Sequence, residues 1–173
     1  MTSVEYKSRA TTGADQAHLL RIYLRDHESA SAGGLKLARR CWKANRGTPY
    51  APELQRLMTD IRSDRDALRQ ICRQFYVKYS NAGRAMAYFG ATLGQLKLNG
   101  RLIHYSPLSR VLELEALSGG VMTKLQLWQS LLLLADDDTR LDRTALTRLA
   151  TEANYQLEVI RQLHDMAVGE ACR

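Results

Sequence analysis

The sequence contains few residues that interrupt helices or form cross-links. Only three prolines and three cysteines occur among its 173 residues. Because proline disrupts helix interiors, its scarcity is compatible with long helices. Cys41, Cys72 and Cys172 form no C-x-x-C pair and are odd in number, which predicts reduced thiols. Reduced thiols are typical of the cytoplasm, and we expect the protein there.

Long apolar runs and familiar catalytic motifs are also absent from the sequence. The longest apolar run, LLLLA at 131–135, is far shorter than the roughly 20 residues of a membrane-spanning helix. The N-terminal stretch MTSVEYKSRATTGADQ has no basic region followed by an apolar run, so we expect no secretory signal. The sequence contains neither G-x-S-x-G nor a phosphate-binding glycine loop. These absences favour a protein without catalytic activity.

The composition is that of a globular helical protein. Hydrophobic residues make up 45% of the chain and charged residues 25%, which argues against disorder. Leu, Ala, Arg and Gln are abundant, and these residues favour helices. The net charge of +7 creates a positive field that raises affinity for nucleic acid, anionic lipid or acidic proteins.

Apolar residues recur at spacings of three and four along four segments, which is the period of one helix face. Asp15 is the predicted N-cap of the first helix and Pro52 lies in the first turn of the second. Ser106 and Pro107 open the third helix, and Asp142 caps the fourth. The first helix is predicted to end near residue 44 and the second near residue 75.

The lengths of the links predict the topology. Short links follow the first and third helices, whereas a long segment separates the second from the third. We therefore predict an all-α four-helix bundle of two antiparallel hairpins joined by a crossover helix. The predicted division is a flexible N-terminus at 1–14 and one bundle domain at 15–173, with the crossover segment at about 78–106.

Two segments carry a family resemblance: YLRDHESASAGGLKLARR at 23–40 and SPLSRVLELEAL at 106–117. Over nearly its full length the chain resembles uncharacterised ferritin-like proteins, which implies a ferritin-like bundle and no assigned activity. Metal-binding members of that wider class combine carboxylates with Glu-x-x-His pairs on two helices. This sequence has no Glu-x-x-His, so we do not expect a standard di-iron centre.

A polar residue interrupts each predicted apolar stripe near its middle: His27, Asp64, Glu115 and Gln156. Four interruptions at similar depth predict a shared polar layer, to which Ser31 also belongs. One hypothesis is a hydrogen-bonded network that fixes helix register. The third helix has a second apolar stripe, which suggests that more than one of its sides is buried.

The second hypothesis for the polar layer is a metal or proton-handling site. Its metal would be Fe or Mn, although we expect no cofactor. Antiparallel pairing about the first turn brings Asp64 closer to Ser31 and Arg39 than to His27, which favours the structural hypothesis. The candidate ligands are imidazole and carboxylate side chains: His27, Glu28, Asp64, Glu115 and Glu152.

A second candidate site is a basic surface around the crossover segment. Its cations alternate with aromatic residues, a pattern that suits single-stranded nucleic acid. The same pattern suits an ordinary amphipathic crossover helix with a charged outer side. The cations are Lys78, Arg84, Lys97, Arg101 and Arg110.

Taken together, these patterns predict a non-catalytic binding or scaffold protein with a protein partner or a second copy in a homodimer. The first alternative is a metal-binding ferritin-like protein in iron handling or oxidative-stress protection. The second alternative is a basic accessory protein that docks on nucleic acid or an anionic surface.

Overall fold

The computed structural model describes residues 13–78 and 105–172. Within these ranges the protein is all-α and contains no strand, which confirms the predicted fold class. Most of the predicted crossover segment and the first twelve residues lie outside the described ranges. The four helices are α1 (Gly13–Ala44), α2 (Ala51–Gln74), α3 (Pro107–Leu134) and α4 (Arg143–Cys172).

Two of the predicted helix caps are present. The Ser106 hydroxyl accepts a hydrogen bond from the backbone N–H of Ser109 at 3.1 Å, and the Asp142 carboxylate accepts one from Ala145 at 3.0 Å. The predicted Asp15 cap is wrong, because α1 already includes Gly13 and Asp15 lies in its first turn. A carboxylate in that turn still favours the helix by facing the positive end of its dipole.

The two hairpins are antiparallel. Contacts between α1 and α2 run in opposite order along the two helices and centre on the turn at 45–50, as predicted. In that turn Gly47 has a φ of +79°, a conformation that glycine adopts without the strain of a side chain. The contacts join Leu24 to Cys72, Glu28 to Arg69 and Ser31 to Arg65.

The directions of α3 and α4 follow from their polar contacts. Polar contacts show that α3 is antiparallel to both α1 and α4, so α2 and α3 run in the same direction. The contacts join Arg40 to Glu113 and Tyr23 to Ser130 between α1 and α3, and Arg110 to Glu170 and Glu115 to His164 between α3 and α4.

The core lies between these helices, and α3 contributes most to it. Trp128 and Leu131 are fully buried, as are Leu24 of α1 and Ala153 of α4. The first predicted stripe of α3, which runs through Glu115, is largely exposed, and its second stripe forms the core with Leu114, Leu117, Val121 and Trp128. Because α3 is apolar on nearly all sides, residue spacing alone does not distinguish its buried face. No helix in the described ranges is long and apolar enough to cross a membrane.

The cap of α4 provides a test of the fold. Asp142→Ala removes the acceptor for the Ala145 N–H, and we expect it to lower the free energy of unfolding by about 1 kcal/mol. Urea denaturation monitored by circular dichroism measures this change. The control is Asp137→Ala. Asp137 lies in the acidic turn between α3 and α4 but forms no capping bond, so this variant should change stability much less. Equal losses in the two variants would contradict the capping role.

Candidate functional site

Three polar side chains from three helices meet in the middle of the bundle: Asp64 of α2, Lys124 of α3 and Gln156 of α4, here called the interior triad. The Lys124 ammonium donates to both the Asp64 carboxylate and the Gln156 amide oxygen. The Gln156 amide nitrogen donates to Asp64 Oδ2 at 3.0 Å. Asp64 and Gln156 are each only 2% exposed. The triad is thus a closed hydrogen-bonded ring that joins three helices.

The charged groups of the triad compensate each other. Burial lowers the pKa of Lys124, whereas the negative charges of Asp64, Asp60 and Glu152 raise it. Burial and the nearby Asp64 carboxylate also raise the pKa of Asp60. A lysine acts as a nucleophile when its amine is neutral and free. Here the amine is bonded on two sides, so the arrangement suits a structural ion pair.

A cavity of about 70 Å³ adjoins the triad, between α1, α2 and α3. Its wall is mostly apolar, with Asp64 and Lys124 on one side and Trp128 and His27 on others. A single water needs roughly 10–15 Å³ in this measure, and a benzene-binding cavity has about 150 Å³. The cavity therefore has room for a few waters but not for an organic cofactor.

His27 lines the cavity but makes no contact with the triad. Its ring meets the Tyr23 ring edge-on with centroids 4.5 Å apart. Burial lowers the pKa of His27, and the Asp26 carboxylate partly opposes that shift. At neutral pH the imidazole is therefore uncharged. His27, Ser31 and Asp64 line the same cavity, but His27 and Asp64 do not bond to each other, and the shared layer stays a prediction for His27.

Glu28 is 8% exposed and is neutralised by two arginines of α2. Its Oε1 atom lies 3.2 Å from Arg65 and 2.9 Å from Arg69. Ser31 accepts a hydrogen bond from Arg65 at 3.1 Å and donates one to the Glu28 carbonyl at 2.6 Å. The expected contact of Asp64 with Ser31 or Arg39 is wrong, since Arg65 contacts Ser31 and Asp64 contacts the triad.

The two remaining predicted ligands lie on the outside. The Glu115 side chain is 54% exposed and contacts His164 at 3.2 Å. The Glu152 side chain is 45% exposed and pairs with Arg148 one helical turn earlier. The predicted place of Glu115 in an interior layer is wrong, because the face of α3 that contains it is turned towards solvent. Glu152 stays a predicted ligand, and its charge raises the pKa values of Lys124 and Asp60. In the described part of the chain no three His, Cys, Asp or Glu residues are grouped so that they could hold a metal ion.

A second polar cluster, at the end of the bundle near the first turn, was missed by the sequence analysis. We call Cys41, Asn45, Tyr105, Arg110, Glu113 and Glu170 the end cluster. Glu113 is fully buried, with Arg40 2.7 Å from its Oε1 atom. Its Oε2 atom accepts hydrogen bonds from Cys41 at 3.3 Å and Tyr105 at 3.1 Å. The Glu113 charge is therefore compensated by groups from α1 and from the start of α3.

Asn45 connects the two halves of the end cluster. Its amide nitrogen donates to the Tyr105 hydroxyl at 2.9 Å, and its amide oxygen accepts from Arg110 at 2.6 Å. Arg110 also pairs with Glu170 and stacks 4.1 Å above the Tyr50 ring. Arg110 is only 9% exposed, so its predicted place on a basic surface is wrong. Extending the second apolar stripe of α3 back by one turn reaches Arg110 and would have indicated its burial.

The thiol of the end cluster is not activated. Burial, followed by the charge of Glu113 and its hydrogen bond, raises the pKa of Cys41 far above its usual range. Cys72 is also buried, and burial raises its pKa to about 11. Both thiols are protonated at neutral pH and lack the thiolate that nucleophilic catalysis requires.

Of the other predicted basic-surface residues, only Lys78 lies in the described ranges, where it is exposed. Arg84, Lys97 and Arg101 fall outside them. In comparisons with known proteins, no family model, curated protein or solved structure matches this chain.

The interior triad yields a stability prediction. Asp64→Ala leaves a buried ammonium without its counter-ion, which we expect to lower the free energy of unfolding by about 3–5 kcal/mol. The triple change Asp64→Leu, Lys124→Met, Gln156→Leu removes all three polar groups together. It should retain stability close to that of the unmodified protein, because no unpaired polar group remains. Urea denaturation of both variants makes the comparison, and a triple variant as unstable as the single one would contradict it.

His27 yields a pH prediction. Its folded-state pKa is lowered from 6.5, so the unfolded chain takes up a proton first as the pH falls below 6.5. The His27 contribution to stability is thus fully present above pH 6.5 and declines on acidification until the folded pKa is passed. As the pH falls from 7.5 to 5, the unmodified protein should lose free energy of unfolding relative to His27→Gln. Denaturation at each pH measures this difference. A stability difference between the two proteins that stays constant from pH 7.5 to pH 5 would contradict the prediction.

Proposed function

We propose that this chain is a non-catalytic binding or scaffold protein on a ferritin-like bundle, with an interior polar layer that is mainly structural. The helix directions support the ferritin-like topology, because α2 and α3 run parallel and require a crossover. The proposal includes the predicted cytoplasmic location and a protein partner or homodimer.

The observation that carries the proposal is the closure of the interior triad. Asp64 Oδ2, the Lys124 ammonium and both polar atoms of the Gln156 amide are bonded within the triad. A catalytic lysine or carboxylate needs a polar atom that can hydrogen-bond to its substrate. The geometry instead matches a buried network that fixes one alignment of the helices.

The other interior groups support the same conclusion. Glu28 is engaged by two arginines, and Glu113 by a cation, a thiol and a phenol. The Cys41 thiol is protonated at neutral pH. His27 remains uncharged beside a cavity too small for an organic cofactor. Function on this bundle therefore belongs to its outer surface.

Metal analysis tests the proposal against the iron-handling alternative. Protein purified without chelator and then incubated anaerobically with Fe(II) or Mn(II) should hold far less than one ion per chain after desalting, because the carboxylates are already paired. Inductively coupled plasma mass spectrometry measures the ratio. Stoichiometric metal that is lost in Asp64→Asn and kept in Asp137→Asn would overturn the proposal and favour a metal site at the triad.

A further inference from the structure

A basic groove runs along the outside of α1. Its cations are Lys36, Arg39, Arg40 and Lys43 of α1, with Arg65 of α2, and its floor consists of Ala32, Leu35 and Ala44. The groove is open and has a volume of about 700 Å³. None of the described residues that line it is acidic, and the sequence has no Asp or Glu from residue 29 to residue 52. An anion in this groove would face five cations above an apolar floor.

Helical geometry places these cations on one side of α1. Residues 36, 39 and 43, and likewise residues 36, 40 and 43, form two adjacent rows in which neighbours are three or four positions apart. At 1.5 Å per residue the distance from Lys36 to Lys43 along α1 is about 10 Å. These rows are long enough to reach more than one phosphate of a duplex.

Only part of the groove's charge is neutralised within the protein. Arg40 pairs with the buried Glu113 and Arg65 with the buried Glu28. Lys36, Arg39 and Lys43 are exposed and form no ion pair with an acid of the described ranges. Three positive charges are thus available to an external anion, held in a row by a helix that is anchored in the core.

The surroundings of the groove indicate the class of partner. Between residues 20 and 75 no large apolar side chain is strongly exposed, whereas membrane-surface helices need apolar residues beside their cations. Protein interfaces likewise have an apolar or aromatic centre. Single-stranded nucleic acid requires aromatic side chains for stacking, and none of the described residues that line the groove is aromatic. A duplex backbone needs only an array of cations.

We propose that the α1 groove docks on the phosphate backbone of double-stranded nucleic acid, without sequence specificity. This adds a nucleic-acid partner to the protein partner or second copy proposed above, and it rests on the proposed role as a binding protein. The two ideas fail separately: a metal at the triad would overturn only the structural role of the interior, and lack of duplex binding would overturn only the groove. The crossover cations named earlier are not needed for the groove.

Salt-dependent binding of the full chain to a short fluorescent DNA duplex tests the inference. Three phosphate contacts contribute a slope of about −2.7 to log K against log salt. A triple variant should lose that contribution to the slope; its substitutions are Lys36→Gln, Arg39→Gln and Lys43→Gln. Between 50 and 200 mM salt, binding by the unmodified protein should weaken about 40-fold more than binding by the variant, as that slope requires. Two duplexes of different sequence should bind equally well.

The matched control changes the net charge by the same amount elsewhere. Arg21→Gln, Arg62→Gln, Arg73→Gln alters three exposed arginines outside the groove and should keep most of the affinity and slope. Equal losses in both triple variants would overturn the groove in favour of diffuse attraction by net charge. Absence of duplex binding at 50 mM salt would also overturn it, as would stronger binding to phosphatidylserine vesicles or polyglutamate than to the duplex. Unchanged urea midpoints establish that both variants fold.

Discussion

Neutralising buried carboxylates is the constraint on which the rest of this bundle depends. An ionised carboxylate inside a protein costs several kcal/mol unless a cation and hydrogen bonds compensate it. Each buried acid here finds its cation on a different helix, so the helices can pack only in the register that brings the pairs together. The pairs are Glu28 with Arg65 and Arg69, Asp64 with Lys124, and Glu113 with Arg40.

The polar contacts connect different helices at different heights of the bundle. The interior triad ties α2, α3 and α4 together at mid-height, where apolar packing between α2 and α4 is slight. The end cluster ties α1 to α3 and α4 near the first turn, through Asn45 and Arg110. Glu28 and its arginines hold the first hairpin in register. Hydrophobic burial supplies the driving force, and these contacts select one arrangement among several that would bury similar apolar area.

The sequence predicted the helices well because three of the four have distinct apolar faces and the helix ends have clear signals, such as Ser106 and Asp142. It also predicted that Asp64 and Gln156 are interior. It missed Lys124, because a long side chain can reach the interior from the flank of a helix and leaves no gap in the apolar pattern. It chose Glu115 over Glu113 because α3 is apolar on nearly all sides, and only tertiary packing decides which face is buried.

The position of the α1 groove gives the molecule a separation of charge along its length. Because Arg40 pairs with Glu113, the groove lies towards the end of the bundle where α3 begins. The acidic turn, residues 135–142, lies at the opposite end, where α3 finishes, and contains four aspartates and one arginine. An external electric field exerts a torque on a protein with such a dipole. A polyanion would therefore turn the protein before contact, so that the basic end arrives first and the acidic turn points away.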